Sequence, residues 1–181
     1  MKTITIALYS FDELKKETQD KAVELLHDLN LEHEWWKSTY EDAERIGLKI
    51  TSFDLDRANY CHGLFLSNGY KTANLILEEH GDGCTTYHTA KKFLEDYKPK
   101  KEEFEKENPG WDFTYQDEGS ELEQEFLKAL LKDYLRILKQ EVQYRESKEA
   151  IIESIKANDY LFFEDGKLIP VKYYAEAKEV H

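Results

Sequence analysis

The sequence predicts an α+β fold, in which an antiparallel sheet of about five strands is covered by several helices. Segments with the two-residue alternation of strands lie at the start, in the middle and at the end of the 181-residue chain. The segments between them repeat apolar residues at helical spacing. Residues 119–156 contain the longest such pattern, without Pro or an internal Gly, and predict one long helix.

The composition indicates a folded protein. Hydrophobic residues make up 40% of the chain and aromatic residues 13%, which argues against disorder. Neither a repeat nor a flexible linker interrupts the sequence, so we expect a single domain over residues 1–181. No apolar run reaches the roughly 18 residues that a membrane span needs, and the N-terminus lacks the apolar block of a signal peptide. With only two cysteines, Cys61 and Cys84, these features predict a cytoplasmic protein.

The first part of the chain predicts a strand followed by two helices. The alternation over residues 2–8 is that of a strand with one greasier face. Ser10 and Glu13 have the spacing of a capping box, which begins a helix reaching about residue 29. A second helix is expected over about residues 32–46.

The middle of the chain predicts a β-hairpin. Gly47 ends the preceding helix, and the strands of the hairpin are residues 48–56 and 60–66. The alternation changes phase at Thr51-Ser52, which predicts a β-bulge. Gly63 inside a strand predicts a bend or the close approach of another backbone.

The segment after the hairpin is less clearly patterned. Residues 70–80 fit either a short helix or a fourth strand. A helix then begins at Thr86 or Thr89, and we expect Pro99 to end it, with helical spacing able to resume beyond the proline. Residues 111–115 alternate aromatic and polar side chains and predict an extended loop or a short strand.

The long helix is predicted to begin with a second capping box, Ser120 and Glu123. Its apolar face must pack, because burying a large side chain is worth roughly 1.5–3 kcal/mol. A break near Glu146 is expected, since Ser147 can cap a further helix. The apolar stripe consists of Leu122, Phe126, Leu130, Tyr134, Leu138 and Val142.

The chain ends in a predicted hairpin. Its strands are residues 160–163 and 168–171, joined by the turn Asp165-Gly166. Pro170 marks the second strand as an edge strand.

Histidine and cysteine side chains offer an enzymatic or metal-binding alternative. His80, Cys84 and His88 have the spacing His-x3-Cys-x3-His, which matches no standard zinc box. Cys84 with either histidine is also a candidate nucleophile pair, but no phosphate loop, nucleophile elbow or oxyanion framework accompanies it. We therefore predict no catalytic residue, no metal and no cofactor, and keep a metal- or Cys/His-dependent enzyme as an alternative.

Negative charge is concentrated in one segment. The net charge of −13 repels nucleic acids and anionic membranes, so we expect direct binding to neither. Residues 102–125 contain ten acidic residues and one basic residue; ten minus one leaves −9, most of the excess. Aromatic side chains lie among these carboxylates, as in a surface that binds a basic protein. The predicted partner-binding residues are Trp111, Asp112, Phe113, Tyr115, Asp117, Glu118 and Glu121.

The alternative for this segment is a solvated loop whose aromatic side chains fold inward against the long helix. A group of lysines precedes the acidic segment, and we expect the two to pair or to line a solvated helix rather than to bind nucleic acid. The group consists of Lys91, Lys92, Lys98, Lys100 and Lys101.

Three parts of the sequence resemble a loose group of small phage and prophage proteins. They are the opening segments TITI (3–6), YSFDEL (9–14) and KAVE (21–24), the hairpin ITSFDLDR (50–57), and the closing residues 151–152, NDY (158–160) and FEDGKL (163–168). Some members of the group are labelled antitoxin of a toxin–antitoxin system. The group brings no catalytic residues with it. The resemblance implies origin in a mobile element, and small acidic phage proteins often bind and disable a host protein.

These observations predict a non-enzymatic acidic protein that acts in the host cytoplasm. Its partner would be a host protein with a basic surface, such as a nucleic-acid-binding defence nuclease of the CRISPR type, by analogy with other phage proteins. An antitoxin-like module that oligomerises through the long helix is the other alternative. The oligomeric state does not follow from the sequence.

Overall fold

A computed structural model describes residues 6–31 and 33–169 of the chain. Within these residues the contacts form two compact units, one of residues up to 35 and from 142 onward, the other of residues 36–141. The single domain over residues 1–181 stays a prediction. The elements are β1 (Tyr9–Ser10), α1 (Lys16–Leu25), α2 (Lys37–Arg45), β2 (Leu48–Asp54), β3 (Tyr60–Phe65), α3 (Gly69–Glu79), α4 (Thr85–Glu107), α5 (Asp117–Arg145), α6 (Lys148–Ala157) and β4 (Leu161–Phe162).

The α+β class is confirmed, but the predicted sheet of about five strands is wrong. The described strands form two separate antiparallel pairs, β1 with β4 and β2 with β3. Alternation identifies a half-buried strand without identifying its partner, so five strand signals did not imply one sheet. Residues 2–5 of the predicted first strand lie outside the described residues, and residues 6–8 carry no strand.

The unit that contains both described ends is built around one apolar cluster. Ser10 and Glu13 do form the predicted capping interaction, with the Ser10 N–H donating to the Glu13 carboxylate over 2.7 Å. They cap only a short 3₁₀ turn, so the expected continuous helix to residue 29 is replaced by this turn and α1. The cluster consists of Phe11, Leu14, Ala22, Val23, Ile151, Ile155 and Phe162.

The end of this unit follows the sequence closely. Ser147 accepts a hydrogen bond from the Ala150 N–H over 3.2 Å, so the predicted break and cap before α6 are confirmed. The terminal hairpin is also present, because Leu168 bridges to Phe162 and the Ile169 N–H donates to the Leu161 carbonyl. Residues 170 and 171 of its second strand lie outside the described residues.

The hairpin of the other unit, residues 36–141, confirms its two local predictions. The register shifts between Ile50 and Ser52, which is the predicted bulge. A Cβ on Gly63 would lie 2.6 Å from the Lys49 carbonyl oxygen, so the predicted close approach is real. Gly47, two residues after the end of α2, has φ +81°, which a glycine adopts without strain.

Two predictions about the helices of this unit are wrong. Helix α4 continues through Pro99, which lies exposed, while apolar side chains on its other face stay buried and hold the helix together. Helix α5 begins at Asp117, so Ser120 lies inside its first turn and is not an N-cap. The Glu123 carboxylate instead accepts hydrogen bonds from the Gly69 and Tyr70 N–H groups, at 2.9 and 3.3 Å.

The ambiguous segment after the hairpin is a helix. Helix α3 covers residues 69–79, and the Asn68 side chain caps it by accepting from the Lys71 N–H over 2.9 Å. None of the helices in the described ranges 6–31 and 33–169 combines the length and apolar composition needed to cross a membrane.

The core of this unit lies between α3, α4 and α5. The apolar stripe on α5 is confirmed, since Phe126, Leu130, Tyr134 and Leu138 are buried. Phe93 of α4 stacks on Phe126 with ring centroids 4.3 Å apart.

Candidate protein-binding surface

The connection between α4 and α5, together with the first turns of α5, contains the acidic and aromatic residues predicted to bind a partner. Asn108 follows the last residue of α4, and Gly110, with φ +90°, lets the backbone turn after Pro109. The Asp112 carboxylate accepts from the Thr114 N–H over 2.9 Å and caps a 3₁₀ turn at Phe113–Tyr115. The predicted extended segment is thus a capped turn.

Hydrogen bonding to the cap also sets the charge of Asp112. The Thr114 backbone N–H and the Thr114 side chain both stabilise the carboxylate, and they hold the pKa of Asp112 below its usual range. Asp112 therefore keeps its negative charge through the neutral and mildly acidic range.

Phe113 fixes this turn to the rest of the unit. Its side chain is 2% exposed, and its ring centroid lies 5.2 Å from that of Tyr97 and 5.6 Å from that of Phe104. The Tyr97 and Thr114 hydroxyls are 3.1 Å apart and hydrogen-bonded. Phe113, predicted to contact a partner, is in fact an internal anchor, because its ring packs on aromatic side chains of α4.

The aromatic residues on either side of Phe113 are exposed. Trp111 is 66% exposed and Tyr115 is 83% exposed. Aromatic side chains are enriched among the residues that anchor protein interfaces, so two exposed rings in one short segment are candidate contacts. Together with the neighbouring carboxylates they define what we call the acidic-aromatic surface: Trp111, Asp112, Tyr115, Asp117, Glu118 and Glu121.

Most of the charge on the acidic-aromatic surface is unneutralised. Asp117 and Glu121 are exposed and form no ion pair with any residue that the structure describes. Glu118 pairs with Lys100 at 2.6 Å, and this hydrogen bond raises the pKa of Lys100. Lys101 pairs with Glu105, so the predicted pairing of lysines with acidic residues holds for these two contacts.

The three candidate metal ligands do not converge. His80 is largely buried, with Nδ1 2.7 Å from the Thr86 hydroxyl and Nε2 3.6 Å from an Asp42 oxygen. Cys84 is exposed at the N-cap position of α4, and His88 is exposed beside the Tyr87 ring. Over the described residues, no three His, Cys, Asp or Glu side chains are grouped so as to hold a metal ion.

Comparison of the chain with protein-family models, with curated proteins and with solved structures gives no significant match. The resemblance to small phage proteins therefore depends on the quoted sequence segments alone. The acidic-aromatic surface must be interpreted from its own chemistry.

Two features of this unit were not predicted from the sequence. One is a buried polar contact in which the Thr89 hydroxyl donates to Asp133 over 2.5 Å, between α4 and α5. An acidic residue beside an apolar stripe is usually solvent-exposed, so nothing in the sequence indicated that Asp133 is buried. The other is a groove of about 350 Å³ between the same two helices. Lys92, Phe93 and Asp96 of α4 and Leu122, Glu125 and Phe126 of α5 line it.

Proposed function

We propose that this protein is a non-enzymatic binding protein whose acidic-aromatic surface docks on a basic surface of another protein. The single observation that carries the proposal is the exposure of Trp111 and Tyr115 among carboxylates. Buried aromatic side chains supply most of the binding free energy at many interfaces, and complementary charge accelerates association.

The contacts around Phe113 support a preformed surface. Its buried ring and the Asp112 cap hold the turn in place before any partner arrives. A turn that is already ordered loses little conformational entropy when Trp111 and Tyr115 are covered. The surface is therefore suited to binding without refolding.

The partner class follows from charge and from the sequence resemblance. A carboxylate-rich surface on a protein with net charge −13 selects a cationic face, and the cationic faces of nucleic-acid-binding enzymes are extended and accessible. By analogy with small acidic phage proteins that disable host defence, we propose that the partner is a host defence nuclease, such as a CRISPR effector, which the protein would inhibit in the host cytoplasm by covering its nucleic-acid-binding face.

The test is capture from a bacterial lysate with matched baits. We expect the wild-type protein to retain a basic protein that the double variant Trp111→Ala/Tyr115→Ala loses by about tenfold or more, as measured by quantitative mass spectrometry. Tyr144→Ala is the control, because Tyr144 is also an exposed aromatic residue, 59% accessible, but lies outside residues 36–141.

The captured protein is then purified and its affinity for DNA or RNA is measured with and without the wild-type protein. Loss of nucleic-acid binding in the presence of the wild-type protein supports the inhibitory role. If every captured protein is retained equally by the wild-type and double-variant baits, the acidic-aromatic surface is not the binding site.

A further inference from the structure

The groove between α4 and α5 is closed at both ends by polar contacts. The Lys100–Glu118 ion pair spans the helices at one end and the Thr89–Asp133 hydrogen bond spans them at the other. The later residue of α4, Lys100, contacts the earlier residue of α5, and the earlier residue of α4, Thr89, contacts the later one. The two helices are therefore antiparallel. Between the two contacts the groove stays open, because no side chain of either helix fills it.

The floor and the edges of the groove differ in chemistry. Phe93 and Phe126 are buried and stacked beneath it, and Leu122 adds a half-buried aliphatic side chain. Asp96 and Glu125 stand exposed at its edges and make no ion pair with a residue that the structure describes. The groove thus offers apolar surface between two exposed carboxylates and the Lys92 ammonium group, with the Lys100–Glu118 ion pair at one end.

The groove also continues the acidic-aromatic surface. Glu118 belongs to that surface, and Leu122, Glu125 and Ala129 follow it along α5 at spacings of three and four residues, which places them on one face of the helix. From Glu118 the groove begins about one helical turn further along α5, at Leu122, and its lining ends about three turns along, at Ala129.

The charge around the groove indicates the occupant. The two carboxylates outnumber the one ammonium group among the lining residues, and beside apolar surface they favour a segment in which a large apolar side chain is flanked by lysine or arginine. A second copy of this chain is disfavoured, because it carries net charge −13 and would repel the first. The volume, about 350 Å³, is at the lower end for ligand sites and suits one or two side chains rather than a folded domain.

We propose that this groove receives a leucine or an aromatic side chain from a basic segment of the protein partner, with lysine or arginine of that segment pairing with Asp96 and Glu125. The proposal rests on the proposed function, since it assigns the groove to the same partner. It adds a specificity site: the acidic-aromatic surface selects a cationic face, and the groove selects an apolar side chain within it.

The test uses a defined peptide. A fluorescein-labelled peptide of about 15 residues carries leucines at helical spacing and lysines elsewhere, and a matched peptide has each leucine replaced by alanine. We expect fluorescence anisotropy to show binding of the leucine peptide at least about tenfold tighter than that of the alanine peptide, since only the first can fill the groove.

Variants locate the contact. Ala129 is exposed and lines the groove, so Ala129→Trp is expected to fill it and to weaken leucine-peptide binding by about tenfold, while leaving the far-ultraviolet circular dichroism unchanged. Gln140→Trp places the same side chain at an exposed position of α5 outside the groove and is expected to leave binding within about twofold.

The outcomes separate this proposal from the proposed function. If Ala129→Trp leaves peptide binding unchanged while Trp111→Ala/Tyr115→Ala abolishes it, the groove proposal is wrong and the acidic-aromatic surface stands. If the double variant binds the peptide normally and Ala129→Trp does not, the groove proposal is supported and the acidic-aromatic surface does not bind this peptide.

Equal affinity for the leucine and alanine peptides overturns the groove proposal. So does a wild-type dimer in light scattering that Ala129→Trp dissociates, because a second copy would then fill the groove.

Discussion

Gly119 allows the first turn of α5 to pack against the buried Phe113. A Cβ added at this position would lie 2.1 Å from the Phe113 carbonyl oxygen and 2.9 Å from its carbonyl carbon. Both atoms are backbone, so neither can move aside as a flexible side chain would. We predict that Gly119→Ala lowers the free energy of unfolding by about 2 kcal/mol, measured by urea denaturation.

The sign of this change is the informative part. Alanine is worth up to about 1 kcal/mol more than glycine in a helix, so without the contact the substitution would stabilise α5. Gly83→Ala is the control, because a Cβ at Gly83 meets nothing within 4 Å. A Gly119→Ala protein as stable as the wild type would show that the connection is not packed as described.

The two cysteines differ in accessibility and so in reactivity. Cys61 is buried in β3, and burial raises the pKa of its thiol to about 11, whereas Cys84 is exposed. Because the thiolate is the reactive form, we predict that at pH 8 one thiol per folded chain reacts quickly with Ellman's reagent and the second only after unfolding. Cys84→Ser should remove the fast phase, and a fast phase that survives this substitution would contradict the burial of Cys61.

At the scale of elements, Glu123 links α5 to the N-terminus of α3. Its carboxylate accepts from the Gly69 and Tyr70 N–H groups, two donors that the helix itself leaves unpaired. We predict that Glu123→Ala lowers the free energy of unfolding by about 1.5–3 kcal/mol, because a charged acceptor is lost from half-buried donors. Glu121→Ala, two residues away and exposed, should change it by less than about 0.5 kcal/mol.

Glu123 also shows where sequence reasoning is limited. The pattern Ser-x-x-Glu is a capping box when the serine precedes the helix, and it correctly identified the Ser10–Glu13 interaction. At Ser120 the same pattern lies inside α5, because Asp117 starts the helix and the glutamate finds donors on α3. Sequence spacing can indicate a capping residue, but tertiary contacts determine which backbone N–H groups its side chain binds.

Several predictions that succeeded concern contacts within a short stretch of chain. The bulge between Ile50 and Ser52 and the close approach of Gly63 to Lys49 lie within one hairpin, and the cap at Ser147 lies within one helical turn. The prediction of one five-stranded sheet was wrong, because pairing between strands that are distant in sequence depends on how the helices between them pack. The prediction that Pro99 ends its helix was wrong because the free-energy cost of a proline inside a helix is local. The burial of other side chains along α4 outweighs that cost.

At the scale of the whole molecule, the candidate surface could be found in outline only. In the sequence alone, the charge count marked residues 102–125 as acidic, and the aromatic side chains marked residues 111–115. The sequence could not say that Phe113 is buried and Trp111 and Tyr115 exposed, since the alternation of the three rings suggested that they share one face. The groove could not be predicted either, because its two edges lie on different helices, α4 and α5, and no local sequence pattern determines that these two helices pack together.

Charge acts at this scale by selecting partners at long range. With net charge −13 and −9 of it within residues 102–125, association with a cationic protein should be fast at low ionic strength and slow as salt is added. The exposed rings supply a salt-independent part of the affinity. The two contributions can therefore be separated by varying salt and side chains independently.

The most direct test of the acidic-aromatic surface is the dissociation constant of the purified partner as a function of sodium chloride concentration. Isothermal titration calorimetry would compare the wild type with Trp111→Ala/Tyr115→Ala and with the charge variant Asp117→Lys/Glu121→Lys. We predict that the ring variant weakens binding by about 30-fold at every salt concentration, and that the charge variant weakens binding mainly at low salt. Dissociation constants and salt dependences that coincide for all three proteins would contradict the claim that this surface binds the partner.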